Sequence, residues 1–319
     1  MATTGTLSSS QQRAIELNVM ARKQRSLWRD ALERLVRNRA AMGGLAVLVL
    51  AALLALLAPL VSPYDPLRQD SKFNLFEPVW TGSKYTSPEH ILGTDQLGRD
   101  TLTRLIWAAR ISMVVGFIPT AIVFAVGITV GLLSGYYGKW VDQLLMRFTD
   151  IVYAFPDFLF LLIVVAVFRN SPVGGLFSGL LLIFLAIAVV GWVGVARLTR
   201  GQVLQLKERE FIEAARTIGA SPGRIMTKHL LPNSLAPLLV AAAFTVPAYI
   251  IAEATLSFLG VGVKPPTPTW GAMAFDGFAT FTANPWGVLL PATCISIVMM
   301  AFTFFGDGVR DALDPRMKL

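Results

Sequence analysis

Runs of uncharged, mostly apolar residues limit what this chain can become, because a helix needs roughly 20 of them to cross the ~30 Å hydrocarbon core of a bilayer. Six stretches between charged residues approach that length: 42–61, 111–138, 151–168 (broken only by Asp157), 171–196, 234–252 and 285–306. Composition agrees, with 54% hydrophobic and 15% charged residues and a mean hydropathy of +0.59, far from the balance of a soluble domain. The expectation is an all-α polytopic membrane protein with six transmembrane helices. An even number of crossings puts both termini on one side.

Lys and Arg gather in cytoplasmic segments, so their positions orient the chain. The first segment carries Arg13, Arg22, Lys23, Arg25, Arg29, Arg34, Arg37 and Arg39. The loop after the fourth run carries Arg197, Arg200, Lys207, Arg209, Arg216, Arg224 and Lys228. Both are predicted to be cytoplasmic, which places 254–284, with Lys264 alone, outside. The 62–110 loop holds six basic residues and departs locally from the rule, so the orientation rests on the two basic segments. The net charge of +8 is read as topology and not as a nucleic-acid footprint. The expected division is a basic segment at 1–41, a first span with its external loop at 42–110, and a core at 111–319 containing a cytoplasmic loop at 197–233.

The first apolar run is too long for a signal-peptide core and lacks a small-x-small cleavage site, so it is expected to remain as a helix. Before it, Leu27, Trp28, Ala31, Leu32, Leu35 and Val36 recur at helical spacing, which fits an interfacial helix or a plain topogenic leader. The lone Cys294 excludes an intrachain disulfide, and His90 and His229 fall on opposite sides, so no metal site is expected. No catalytic motif is found. "GYYGKW" at Gly135 lacks the glycine and Ser/Thr of a Walker A loop and reads as a membrane-exit turn. Asp157 and Glu253 sit near span ends with no basic residue at comparable depth, which argues against a proton or ion relay.

The stretch "EAARTIGASPGRIMTKHLLPN", from Glu213, interrupts the apolar pattern. Phe211, Ala214, Ala215 and Ile218 fall on one face of a short helix, with Arg209, Glu213, Arg216 and Thr217 elsewhere on the wheel. Gly219 is a left-handed stop, Ser221 a predicted N-cap, and Pro222 the first residue of a second short helix running to Pro232. Tied to the membrane at both ends, the pair has no reach into a DNA groove. The paired alanines offer a smooth patch for close backbone approach, and the element is read as a docking surface.

These residues resemble the EAA loop of permease subunits of bacterial ABC importers, with Glu213, Ala214, Ala215, Gly219 and Leu231-Pro232 in matching places. His229 stands where the general pattern has an aliphatic residue, with Leu230 beside it. "SPYDP" at Ser62, "LGTDQLGRDTLTRLIWAARIS" at Leu92, "REFIEAARTIGAS" at Arg209, "EATLSFLGVGVKPPTPTWGAM" at Glu253 and "GDGVRDALDPR" at Gly306 resemble the dipeptide/oligopeptide/nickel branch. The resemblance spans about residues 37–316.

It implies the type I ABC importer permease fold in a bacterial or archaeal plasma membrane, with cytoplasmic termini. It also implies a second permease subunit as heterodimer partner, two ATPase subunits that hold the ATP and Mg this chain does not bind, and an extracytoplasmic binding protein. Phe211, Glu213, Ala214, Ala215, Ile218, Gly219 and Pro232 would couple to the ATPase, with Glu213 pairing to a donor near its cleft. Arg99 and Asp100, ahead of a surface-lying helix carrying Leu102, Leu105, Ile106 and Ala109, are assigned to binding-protein docking or the outer gate. The expected cargo is a di- or oligopeptide, with nickel chelates, glutathione or oligosaccharides as alternatives. A secondary transporter, an exporter permease and a membrane-anchored interaction protein are the rival classes, none of which needs an added binding protein.

Overall fold

The computed structural model describes residues 27–314, with the side chains of Leu27 and Trp28 excepted. The basic residues before 27 and Arg316 of the C-terminal motif lie outside the described residues. An amphipathic helix, α1 (Leu27–Arg37), turns into the first apolar helix, α2 (Arg39–Leu56). Asn38 caps α2, its side-chain oxygen accepting from the amides of Ala40 (3.1 Å) and Ala41 (3.2 Å), which supplies partners for two orphan donors.

Next in order are α3 (Thr101–Tyr137), α4 (Lys139–Tyr153), α5 (Asp157–Phe168), α6 (Leu180–Leu206), α7 (Glu210–Thr217), α8 (Leu231–Phe258), α9 (Trp270–Phe278) and α10 (Trp286–Leu313). Among the described residues there is no strand beyond two isolated bridges in the 62–100 segment. Five helices are long and apolar enough to cross a membrane, and α4 with α5 makes a sixth if the bent pair is counted as one crossing.

That pair corrects the third expected span, because 151–168 is not one straight helix. The two helices meet at 71°. Pro156 has no N–H to donate and disfavours helical geometry at Phe155, so α4 ends just before it and α5 starts again at Asp157. Other limits also shift. α3 begins at Thr101, not 111, so the segment bearing Leu102 and Leu105 continues the second span and is not a separate surface helix. The regular fourth helix begins at Leu180, after left-handed Phe177 and Ser178. α9 forms within the 254–284 stretch between the last two spans. Gly138, with φ +63°, makes the expected break after α3.

The most extensive helix contact is α3 against α6. Gly127, Gly131 and Gly135 recur every four residues, and added Cβ atoms would lie 2.6 Å from Val195 Cβ, 2.5 Å from the Ala196 carbonyl and 2.7 Å from Val203 Cγ1. Lipid supplies no hydrophobic force between helices, so close packing of small residues does the joining. At one end of this seam Asp142 of α4 accepts two 2.6 Å bonds from the Arg200 guanidinium of α6 and a short one from Ser134 of α3.

At the other end the 62–100 segment folds back. Trp270 Nε1 donates to the Leu105 carbonyl (3.2 Å), and Asn284 Nδ2 to that of Phe76 (3.1 Å). Glu253 is fully buried in the last turns of α8, near the helix end as the sequence reading has it. Ser257 donates to its Oε1 (2.6 Å) and accepts from the Val263 amide (3.3 Å), which ties α8 to the following turn.

Gly131→Ala puts a methyl 2.5 Å from backbone that cannot yield, whereas Gly201 of α6 has open space at its Cβ. The first change is expected to cost about 1–3 kcal/mol and lower the melting temperature in detergent, and Gly201→Ala to leave it unchanged, as read by size-exclusion thermal melts.

Candidate functional site: the 197–233 loop and the helix it presents

α7 starts where the Arg209 carbonyl accepts from the amides of Ile212 (2.9 Å) and Glu213 (3.3 Å). Two acids, Glu210 and Glu213, sit in its first turn, where the helix dipole favours negative charge. Its end is a Schellman motif: the Gly219 amide donates to Arg216 (2.9 Å) and the Ala220 amide to Ala215 (3.0 Å). Gly219 has φ +80°, a region that side-chain-bearing residues rarely enter, and nothing lies within 4 Å of its Cβ position. It acts through backbone shape alone.

The four residues expected on one face divide. Ala215 is buried with Ile212 (0% exposed), Ile225, Leu230, Val203 and Leu132, so that side of α7 packs on the ends of α3 and α6. Phe211 (42% exposed), Ala214 and Ile218 (85%) point away from the helices. The Glu213 carboxylate lies on the exposed side and has no partner among the described residues. Arg216 stacks over the Tyr136 ring at 5.7 Å, adding a cation–π contact between α7 and α3. Ile212 was missed in the sequence reading, although Ile212 and Ala215, at i and i+3, form a second apolar row.

Ser221 occupies the N-cap position before Pro222, but its side chain makes no capping bond. Pro232 does not stop the second helix. Residues Pro222–Phe258 run on as one apolar helix, with a π-turn at Met226–Leu230 immediately before the proline. The Leu231 amide donates five residues back to Met226, and the side chains of Asn233 and Ser234 bond the His229 (2.6 Å) and Leu230 (2.9 Å) carbonyls. The wider turn carries the helix on to Pro232, which has no N–H to donate back along it.

Arg99 and Asp100 are brought together at the opposite end of the molecule, and both are buried. Asp100 caps α3, accepting from the Thr103 amide (2.7 Å), and meets His90 Nδ1 at 2.9 Å. Arg99 donates to Asp95 (2.7 Å) and to Asp276 of α9 (3.3 Å), and Arg104 also reaches Asp95. These side chains brace the 62–100 segment against α3 and α9. Among the described residues no group of His, Cys, Asp and Glu could hold a metal ion.

Comparison with known proteins bears on the family and the fold. Residues 127–319 match the family described as binding-protein-dependent transport system inner membrane component, and residues 26–78 match the N-terminal TM domain of oligopeptide transport permease C. The chain is 40% identical over 299 residues to the oligopeptide transport system permease protein OppC of Bacillus subtilis (strain 168), covering 94% of this chain and 93% of that protein. It is 39% identical over 310 residues to the dipeptide transport system permease protein DppC of the same organism, covering 97% and 92%. Two inward-facing structures of the MetNI methionine ABC transporter align with TM-scores of 0.52 and 0.53 at 22% and 20% identity. They cover 66% and 67% of this chain and 96% and 97% of theirs, a likeness of fold. With most of its helical core inside the matched region and nearly all of its length aligned with OppC and DppC, the chain belongs to the inner membrane components of binding-protein-dependent transport systems.

Proposed function

We propose that this chain forms half of the translocation path of an ATP-driven importer of di- or oligopeptides, and that its 197–233 loop receives motion from a separate ATPase. The observation that carries the reading is the two-faced α7: Ile212 and Ala215 anchor it to α3 and α6, while Phe211, Ala214 and Ile218 remain exposed with the Glu213 carboxylate beside them. An anchored helix with an apolar outer face and a free acid is built to be pushed by another protein. Relatives named for oligopeptide and dipeptide transport support peptides as the cargo.

In this reading the loop, α1 and the end of α10 face the cytoplasm, together with both termini. The partners are a second permease subunit, two ATPase subunits that bind ATP and Mg, and an extracytoplasmic binding protein. ATP closes the ATPase pair, and the permease halves respond by rigid-body tilting. Arg99 and Asp100 serve docking or the outer gate as positioning residues, by holding the shape of the 62–100 segment.

The test reconstitutes variants with their partner subunits and follows peptide uptake together with ATP hydrolysis. Ala214→Trp should abolish uptake while the chain inserts and melts normally, because its side chain faces outward. Ala215→Trp should also lower the melting temperature, since its methyl is packed inside. Glu213→Gln removes a charge-assisted bond worth about 1.5–3 kcal/mol, so binding of the ATPase should weaken by about tenfold to a hundredfold. Gly219→Val should uncouple uptake from hydrolysis through backbone strain alone. Wild-type uptake in the Ala214→Trp and Gly219→Val variants would remove the coupling role.

A second expectation concerns the isolated chain. Purified without partners it should hydrolyse no ATP, and a cysteine placed at Thr217 should react with a membrane-impermeant maleimide only in inside-out vesicles. ATP turnover by the chain alone would contradict the division of labour.

A further inference from the structure

A wide apolar groove lies away from the loop. α1, α2, α3, α8 and α10 line an open groove of about 740 Å³, within the roughly 300–1,000 Å³ of small-molecule sites. Leu35, Val49, Ala121, Ala243 and Phe305 are representative of its lining. Thr120 is its one polar residue, and the Thr120 hydroxyl is already spent on the Gly116 carbonyl at 2.7 Å. A peptide backbone would find no hydrogen-bond partner here, and burying its polar groups without one is costly. Hydrocarbon is the chemistry that fits.

Charge and length identify which hydrocarbon. At the corner between groove-lining Leu35 and Leu45, Arg37 and Arg39 are exposed and make no side-chain bond among the described residues. The corner is held against α10, where an added Cβ on Gly308 would lie 2.2 Å from Ala41 Cβ, and Arg34 donates to the Asp314 carbonyl (3.3 Å). From Arg39 to groove-lining Ala52, α2 rises about 20 Å at 1.5 Å per residue. One leaflet of hydrocarbon is about 15 Å deep. The groove therefore runs from an interfacial, basic rim through the depth of a single leaflet.

We infer that the groove seats an acyl chain of an anionic phospholipid from the leaflet that holds α1, with its headgroup against Arg37 and Arg39. The lipid completes the packing between α1–α2 and the α3, α8 and α10 helices. Basic side chains at a membrane surface favour anionic lipid, and the two together set the preference for phosphatidylglycerol over phosphatidylethanolamine.

The test purifies the chain with its co-expressed partner subunits, exchanges it into nanodiscs of equal parts phosphatidylglycerol and phosphatidylethanolamine, and counts retained lipid by native mass spectrometry. Arg37→Gln with Arg39→Gln should reduce retained phosphatidylglycerol relative to phosphatidylethanolamine by about tenfold or more, at unchanged total lipid. Ala243→Phe, which fills the groove, should remove one tightly held lipid of either kind. An unchanged lipid count and preference in assembled variants would overturn the inference. A photo-crosslinking residue at Val49 in the otherwise native chain decides even where Ala243→Phe fails to assemble. A lipid adduct supports the proposal, and an adduct with a helix of another subunit overturns it.

Discussion

The approach of α3 to α6 is the constraint on which the remaining structure depends. Three glycines at four-residue spacing bring one backbone against the other, and in lipid that fit replaces the hydrophobic force available to a soluble core. The Ser134–Asp142–Arg200 cluster forms because the seam brings those positions together. The same two helix ends make the floor on which Ile212 and Ala215 rest. A wider seam would separate Leu132 from Val203 and leave α7 without a bed.

The molecule is braced differently at its two ends. At the loop end α7 rests on apolar contacts, one side packed and the other exposed, beside the Asp142–Arg200 ion pair. At the opposite end, Asp95 and Asp276 share the guanidinium groups of Arg99 and Arg104, and Asp100 caps α3. Pairing charges as they are buried offsets their desolvation, so the 62–100 segment is held by polar geometry where little apolar area is available. α8 spans the distance between the two ends, from the π-turn at Met226–Leu230 to the Glu253–Ser257 bond beside the outer turn.

The apolar runs made the membrane-crossing helices legible, and the left-handed stop at Gly219 was readable because a glycine followed a short amphipathic pattern. The bend at Pro156 was less visible, since hydropathy ignores which residue interrupts a run. The continuity of α3 across Arg104 and Arg110 was hidden for the opposite reason. Charges mark a membrane boundary, but a helix continues past one when a half-buried partner such as Asp95 receives the charge. For α7, the spacing showed an apolar face without saying how wide it was. Only the packed surroundings separate Ala215 from Ala214, adjacent residues about 100° apart on the helix. The glycine repeat at 127, 131 and 135 was present in the sequence and was passed over as part of an apolar run.

The two faces of α7 differ in what they permit over evolutionary time. A replacement at Phe211, Ala214 or Ile218 disturbs no internal packing, whereas Ile212 and Ala215 are enclosed by the chain itself. Descendants of this protein can therefore vary at three outward positions while inheriting the same fold. Under the coupling role proposed for α7, duplicated transport systems in one cell would keep their subunits from mixing through differences confined to that strip.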